Sequence, residues 1–260
     1  VTTYLTAILA RKLEEVAALK AARPEAELVA SLADAPPSRD LPGALSARGG
    51  PTRVIAEVKR ASPSAGAIAA GLDAVAQARA YQAAGAAAIS VLTDGPGFGG
   101  SLADLVAVRA AVSVPVLRKD FTVDAWQLVE ARAAGADAAL LIVAALPGDA
   151  LRRLHDRCLE LGLHALVEVH DAAEVERALS IGAALVGVNN RNLHTFQVDL
   201  STSERLVPGF PPGVKGVAES GVRTAADARR LRAAGAPNLL VGEALVRSPD
   251  PGALLRELCA

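Results

Sequence analysis

Short, continuously apolar runs alternate with longer segments of helical period over most of the 260 residues. The runs are VIAEV, AAISVLT, VPVL, ADAALLIV, HALVEV, AALVGVNN, VKGVAE and PNLLVGE. Their brevity and β-branched content predict strands of a parallel sheet covered on both faces. GLDAVAQARAYQAAG, SLADLVAVRAAV and TAADARRLRAAG between them predict helices. The helical segments close on AAGA or IGA, with glycines at 85, 135, 182 and 235, spaced 50, 47 and 53 residues apart. Glycine ends a helix cheaply because it enters the left-handed conformation without a steric cost. Each repeat of about 50 residues holds two strand–helix units. Eight parallel strands with right-handed crossovers close most naturally into a (β/α)₈ TIM barrel, an α/β fold predicted here over residues 51–260.

Residues 1–50 are extra. Leu5, Ile8, Leu9, Leu13, Val16 and Leu19 follow helical spacing, and Pro24 lies just past the expected helix end. SLADAPPSRDLPG then reads as a proline-rich connection. The expectation is an N-terminal helical extension that covers one mouth or part of the outer wall and forms one domain with the barrel.

Composition narrows the partners. The chain is 52% hydrophobic with a formal net charge of −1 and no long charged block. That pattern points away from nucleic acid and anionic membranes. The longest apolar stretch, AALLIVAALP, is too short to span a bilayer, and the first residues lack a signal-peptide layout. Cys158 and Cys259 offer neither a disulfide framework nor metal-ligand spacing, as expected of a reducing cytoplasm. His155, His164, His170 and His194 form no cluster, so no metal is expected. Monomer or weak homo-oligomer is the expected state.

Charge inside the apolar runs is the departure that carries chemistry. Glu57, Glu168 and Glu219 lie in VIAEVK, ALVEVH and KGVAES. A buried carboxylate is costly unless paired or hydrogen-bonded. Catalytic groups of a barrel come from the carboxyl ends of its strands. The first run ends in Glu57 and Lys59, the third in Lys119, the fifth in Glu168 and the seventh in Glu219, Ser220 and Gly221. The sixth ends in Asn189, Asn190 and Arg191, and the eighth in Gly242, Glu243 and Ala244. One end of the barrel is therefore polar. Structural ion pairing in its top layer is the competing reading. Glycines beside helix starts after the seventh and eighth runs suggest backbone donors for a phosphate.

Gly95-Pro-Gly97-Phe-Gly-Gly100 mimics the dinucleotide fingerprint, with Asp120 twenty residues beyond the last glycine. However, Ser101 and Asp104 make a capping-box-like helix start after that glycine, which leaves every glycine in the loop. In the true fingerprint the third glycine packs helix on strand. No NAD or FAD is expected.

Several motifs in order resemble the indole-3-glycerol-phosphate synthase family. They are IAEVKRASPS (Ile55 to Ser64), FGGS (Phe98 to Ser101), LRKDF (Leu117 to Phe121), LVEVHD (Leu166 to Asp171), GVNNRNL (Gly187 to Leu193), VAESG (Val217 to Gly221) and VGEAL (Val241 to Leu245). AILARKLEEVAALKA resembles the family's extra helix. The resemblance implies a phosphorylated small-molecule substrate, 1-(2-carboxyphenylamino)-1-deoxyribulose 5-phosphate. It implies ring closure with loss of carbon dioxide and water, without cofactor or metal. Lys119 matches the family's main general acid, Lys59 a second catalytic lysine and Glu168 the acid–base partner. Glu57 is expected to pair with a lysine, and Asn189, Glu219 and Ser220 to hold polar groups of the substrate. Ser62, Phe98, Arg191, Gly221, Gly242 and Glu243 fall around it. Two departures stand out: Ala65 is inserted-looking in SPSAG, and Ala244 replaces a common serine.

The resemblance implies a place in tryptophan biosynthesis. The neighbouring enzyme of that pathway, phosphoribosylanthranilate isomerase, would carry Cys at the first run and Asp at the sixth, where Glu57/Lys59 and Asn189 stand. A Schiff-base aldolase using Lys59 or Lys119, and a non-catalytic phosphate-binding barrel, are the remaining alternatives.

Overall fold

Every predicted apolar run forms a strand, and the eight strands close on themselves. The computed structural model describes residues 4–62, 66–69, 71–193 and 195–260; Ala65 and His194 lie outside them. The barrel strands are β1 (Arg53–Val58), β2 (Ala88–Leu92), β3 (Val116–Lys119), β4 (Ala138–Ile142), β5 (His164–Val169), β6 (Leu185–Asn189), β7 (Lys215–Glu219) and β8 (Asn238–Val241). All neighbours pair parallel, in chain order, with β8 returning to β1. A likeness of this kind needs helices outside and side chains inside.

Alternation along each strand sorts the residues. Val54, Ala56 and Val58 of β1 face the helical layer, whereas Ile55 packs inside the barrel. Leu117, Leu166 and Val217 of β3, β5 and β7 likewise point inward. Two residues further along lie Lys119, Glu168 and Glu219, and Glu57 follows Ile55 in the same way. Residues two apart on a strand share a face. The layer of apolar side chains from the odd strands is thus capped by a layer of charged ones.

The outer layer comprises α4 (Ala74–Ala83), α5 (Leu102–Ala111), α6 (Ala125–Ala133), α7 (Ala150–Glu160), α8 (Ala172–Ser180), α9 (Ser201–Leu206), α10 (Ala225–Ala233), α11 (Glu243–Arg247) and α12 (Pro251–Cys259). Ser101 caps α5 by accepting from Asp104 N, so Gly95, Gly97, Gly99 and Gly100 all precede the helix. The dinucleotide fingerprint is excluded on that geometry.

The extension runs the full height of the barrel in three helices, α1 (Tyr4–Ala22), α2 (Glu25–Ser31) and α3 (Leu41–Ala44). Sequence periodicity anticipated only the first. Tyr4, Leu5 and Ile8 reach the cavity at the carboxyl ends of the strands. Val16 and Leu28 pack with Trp126 and Val129 on the outer wall. Leu41 and Leu45 then seal the interior from the opposite end. Leu13 and Leu19, read as part of the buried stripe, face solvent. The buried stripe is Ile8, Lys12 and Val16 instead. Lys12 goes inside because it meets two buried carboxylates, Asp94 at 2.6 Å and Asp120 at 3.1 Å. Among the described residues, no helix is long and apolar enough to cross a membrane.

Candidate active site

The charged layer forms the floor of a cavity of about 720 Å³, a size suited to a small-molecule ligand. Glu57, Lys59, Lys119, Glu168, Asn189, Glu219 and Ser220 all line it, as do Ser62, Phe98, Arg191, Gly221, Gly242 and Glu243. Topology brings these together: residues up to 186 positions apart meet because each sits at the same end of its strand.

Lys119 is central. Its Nζ lies 3.5 Å from Glu168 Oε2 and 3.7 Å from Glu219 Oε2. Burial alone would lower its pKa, but Glu168, Glu219 and Glu57 outweigh that and hold the proton firmly on. The two carboxyls part in opposite directions. Burial pushes Glu219 upward and the neighbouring Glu168 charge pushes it further, to about 8. Burial opposes ionisation of Glu168 too, but Lys119, His170 and Asn189 overcome it and hold it well below the ordinary carboxylate range. One carboxyl therefore keeps a proton near neutrality while its neighbour is ionised, the separation that acid–base chemistry exploits.

Glu57 Oε1 takes an ion pair from Lys59 at 2.8 Å. Burial disfavours its charge, but Lys59 and Lys119 lower its pKa overall. Asn189 donates through Nδ2 to Glu168 Oε1 at 3.1 Å while its Oδ1 accepts from Arg191 N. Glu219 Oε1 is buried without a hydrogen-bond partner among the described residues. Ser220 holds a left-handed backbone, φ 66°, unusual without a glycine and typical of functional loops. Glu243, awkward beside an anion, turns to Arg247 at 3.1 Å. The Phe98 and Phe121 rings lie 5.8 Å apart, tilted 56°, on one side of the cavity. Among the described residues, no His, Cys, Asp and Glu group could hold a metal ion.

A family model for indole-3-glycerol phosphate synthase matches residues 5–258. The chain belongs to that family. An indole-3-glycerol phosphate synthase of Nocardioides sp. is 57% identical over 233 residues, which cover 90% of this chain and 89% of that protein. The Rhodococcus jostii protein of the same name is 52% identical over 98% of this chain and 94% of its own length. That of Opitutus terrae is 49% identical over 98% of both. A solved thiamine phosphate pyrophosphorylase from Pyrococcus furiosus superposes with TM-score 0.61 at 18% identity, covering 84% of this chain and 96% of that one. This last likeness shows the barrel fold alone.

The packing role of two glycines beneath the cavity floor of this synthase-family chain escaped sequence reasoning, although Gly242 itself was among the expected site residues. Gly187 is one: a Cβ there would collide with the Glu219 carboxylate and Leu166, so the glycine makes the seat for that acid. Gly242 does the same for Glu57, whose Oε1 would lie 2.5 Å from an added Cβ. The signal, a glycine inside a strand, was present in GVNN but reads equally as a weak strand position. Arg118, beside Lys119 in sequence, faces outward to Glu130 at 2.8 Å and takes no part in the cavity. Asp120 is fixed by Lys12, Arg118 and a 2.6 Å hydrogen bond from Thr93 Oγ1, which locks the turn that follows Lys119.

Proposed function

We propose that the cavity is the active site of an indole-3-glycerol-phosphate synthase in which Lys119, Glu168 and Glu219 manage the protons. Family membership carries the reaction: 1-(2-carboxyphenylamino)-1-deoxyribulose 5-phosphate becomes indole-3-glycerol phosphate, carbon dioxide and water. The observation that supports the roles is one buried ammonium, Lys119, set between the Glu168 and Glu219 carboxyls, whose surroundings push their pKa values in opposite directions.

The ring carbon attacks the substrate ketone, and negative charge develops on its oxygen. Lys119, protonated and weakly acidic, releases its proton only to an oxygen as basic as that forming alkoxide. Loss of carbon dioxide restores the electron pair to the ring. Departure of the resulting hydroxyl as water needs a second acid, and removal of the remaining proton needs a base. Glu219 and Glu168 stand ready in those two protonation states. Lys59, tied to Glu57, reaches the same floor and completes the charge balance there. Phe98 and Phe121 offer the aromatic ring an apolar wall. The phosphate then falls against backbone N–H groups near Gly221, Gly242 and Glu243, with Arg191 at the rim.

The reading extends to a cytoplasmic enzyme, monomer or weak homo-oligomer, with extension and barrel as one domain. Contacts from α1 at one mouth to α3 at the other support the single domain. The purified chain, mixed with the substrate and no metal, is expected to give indole fluorescence and product of the correct mass. Folded protein that binds the substrate without product would leave a ligand-binding barrel instead.

A further inference from the structure

His170 follows β5 by one residue and plays no part in the proton scheme above. Its ring is half-enclosed between two carboxylates. Nε2 lies 3.4 Å from Glu168 Oε1 and Nδ1 lies 3.0 Å from Glu174 Oε2. The same Glu174 oxygen accepts from His170 N at 2.7 Å, so ring and backbone are gripped by one carboxylate. Glu174 is the third residue of α8, whose N-cap Asp171 accepts from Glu174 N.

Helices with a carboxyl or amide at this position use it in two ways: in α5 Asp104 turns to the Arg60 guanidinium at 2.7 Å, whereas two others use it for capping. In α6 the third residue, Gln127, spends its side chain on the N–H groups of Val123 and Asp124. In α10, Asp227 does so on Arg223 and Thr224. Those are ordinary helix caps. Glu174 instead keeps one backbone contact and gives the other to an imidazole aimed at the active-site carboxylate.

We propose that His170, held by Glu174, is a positioning residue that keeps Glu168 ionised and aimed into the cavity. The inference rests on the acid–base reading of Glu168. The chain Glu174–His170–Glu168 has the logic of a carboxylate that orients an imidazole, here turned toward a second carboxylate rather than a nucleophile. Both ring nitrogens face anions, Nδ1 at hydrogen-bond distance from Glu174 and Nε2 at 3.4 Å from Glu168 without a hydrogen bond among the described residues. Burial opposes the ring's charge, but Glu168 and Glu174 raise its pKa to about 10. Glu168 then faces four groups from four elements: His170 beyond β5, Asn189 on β6, and Lys119 and Glu219 on β3 and β7. Glu57 on β1 adds a further negative charge at longer range. Within ion-pair distance, the ring itself meets no other charged side chain among the described residues.

The first test needs no turnover. Nitrogen-15 shifts of the His170 ring are expected to report a doubly protonated imidazolium at about pH 8, and a neutral ring there overturns the proposal. The second separates positioning from capping. His170→Ala is expected to lower kcat at least about tenfold with KM little changed, and to move the acid limb of the kcat profile to higher pH. His170→Gln, whose amide can donate toward Glu168, should recover part of kcat without restoring the limb. If the alanine variant does not fold, the glutamine variant carries the pH measurement. Glu174→Gln should produce the same shift more weakly, and add nothing further to His170→Ala, since it acts through the ring. Variants with lower thermal stability but wild-type kcat and acid limb would reduce the pair to a helix cap and sink the proposal. An inert wild-type enzyme would instead sink the reaction assignment, with the ring's protonation still deciding the pairing.

Discussion

The two ends of the barrel are both ionic, yet they are finished to different standards. At the amino-terminal end Asp137 accepts from Arg39 N at 2.8 Å, Val116 N at 2.7 Å and Arg109 Nη2 at 3.1 Å. Asn238 there bonds both N and O of Ser46 and the carbonyl of Gly216. Lys215 Nζ donates to the carbonyls of Pro42 and Leu45. At the carboxyl end Lys119 sits 3.5 and 3.7 Å from its carboxylates, and Glu219 Oε1 finds no hydrogen-bond partner among the described residues. Buried charge by itself therefore does not mark a site. What sets the carboxyl end apart is where the unsatisfied atom lies. Glu219 Oε1 lines a cavity that a ligand can enter, whereas Arg109 Nε, also without a partner among the described residues, is sealed at the other end.

Removing the central cation should break the comparison most visibly. Lys119→Ala is expected to fold, with the Glu168–Glu219 pair taking up a proton in place of the lost charge. Turnover should fall by about 10²- to 10⁴-fold, the worth of a positioned general acid. Steady-state kinetics beside a thermal melt decide it: near wild-type kcat would remove Lys119 from its role.

The same operation at the other end should do the reverse. Asp137→Ala strands the Arg109 guanidinium and two backbone donors in a buried place, which costs about 3–5 kcal/mol of stability. Chemical denaturation should show that loss, while kcat of the folded fraction stays within about twofold of wild type. A parallel loss of kcat would mean the two ends are coupled, and the contrast between them would fail.

Legibility in the sequence divided along the same line. Strand order, the closing glycines and five charged residues of the cavity could be read. Glu57, Lys59, Lys119, Glu168 and Glu219 each lie in or end an apolar run where charge is out of place. Asp94, which also lines the cavity, was missed because it follows a strand that reads as ending blandly in Thr93. The extension was half legible. Leu13 and Leu19 obeyed the period yet face water, since a helix with Lys12 inside is rotated toward Asp94 and Asp120. No local pattern tells that those carboxylates, more than eighty residues away, will be waiting. Gly187 was opaque for the same reason: its purpose is the space required by Glu219, which lies on the adjacent strand. His170 looked like an isolated histidine because its second partner, Glu174, reads as a helix cap.

A subtler difference should appear in the pH dependence of stability. Glu219 has its pKa raised in the fold from an ordinary 4.5 to about 8. The folded state then binds a proton that the unfolded chain releases, so this contribution is complete below about pH 4.5 and disappears as pH rises through about 8. Glu168, with its pKa lowered, acts with opposite sign and weakens the fold only on acidification. Glu219→Gln should thus flatten the decline in stability between those limits, measured by denaturation at a series of pH values. An unchanged slope would mean that Glu219 holds no extra proton in the fold.

The smallest expected effect tests whether unfinished satisfaction extends to the end of the cavity proposed to hold the phosphate. Ala244 is the second residue of α11 and lines the cavity beside Gly242 and Glu243. Methyl in place of hydroxyl leaves any phosphate there to backbone donors. Ala244→Ser would add one hydrogen bond, worth about 0.5–1.5 kcal/mol, so KM should fall about two- to tenfold. Serine is well tolerated in the first turn of a helix, so the fold itself should not resist the change. Because the phosphate is remote from the reacting carbons, ground state and transition state gain equally, and kcat should not move. A KM that stays fixed would place the phosphate away from Ala244. A kcat that falls along with KM would show instead that the added hydroxyl holds the product, making release rather than chemistry the slow step.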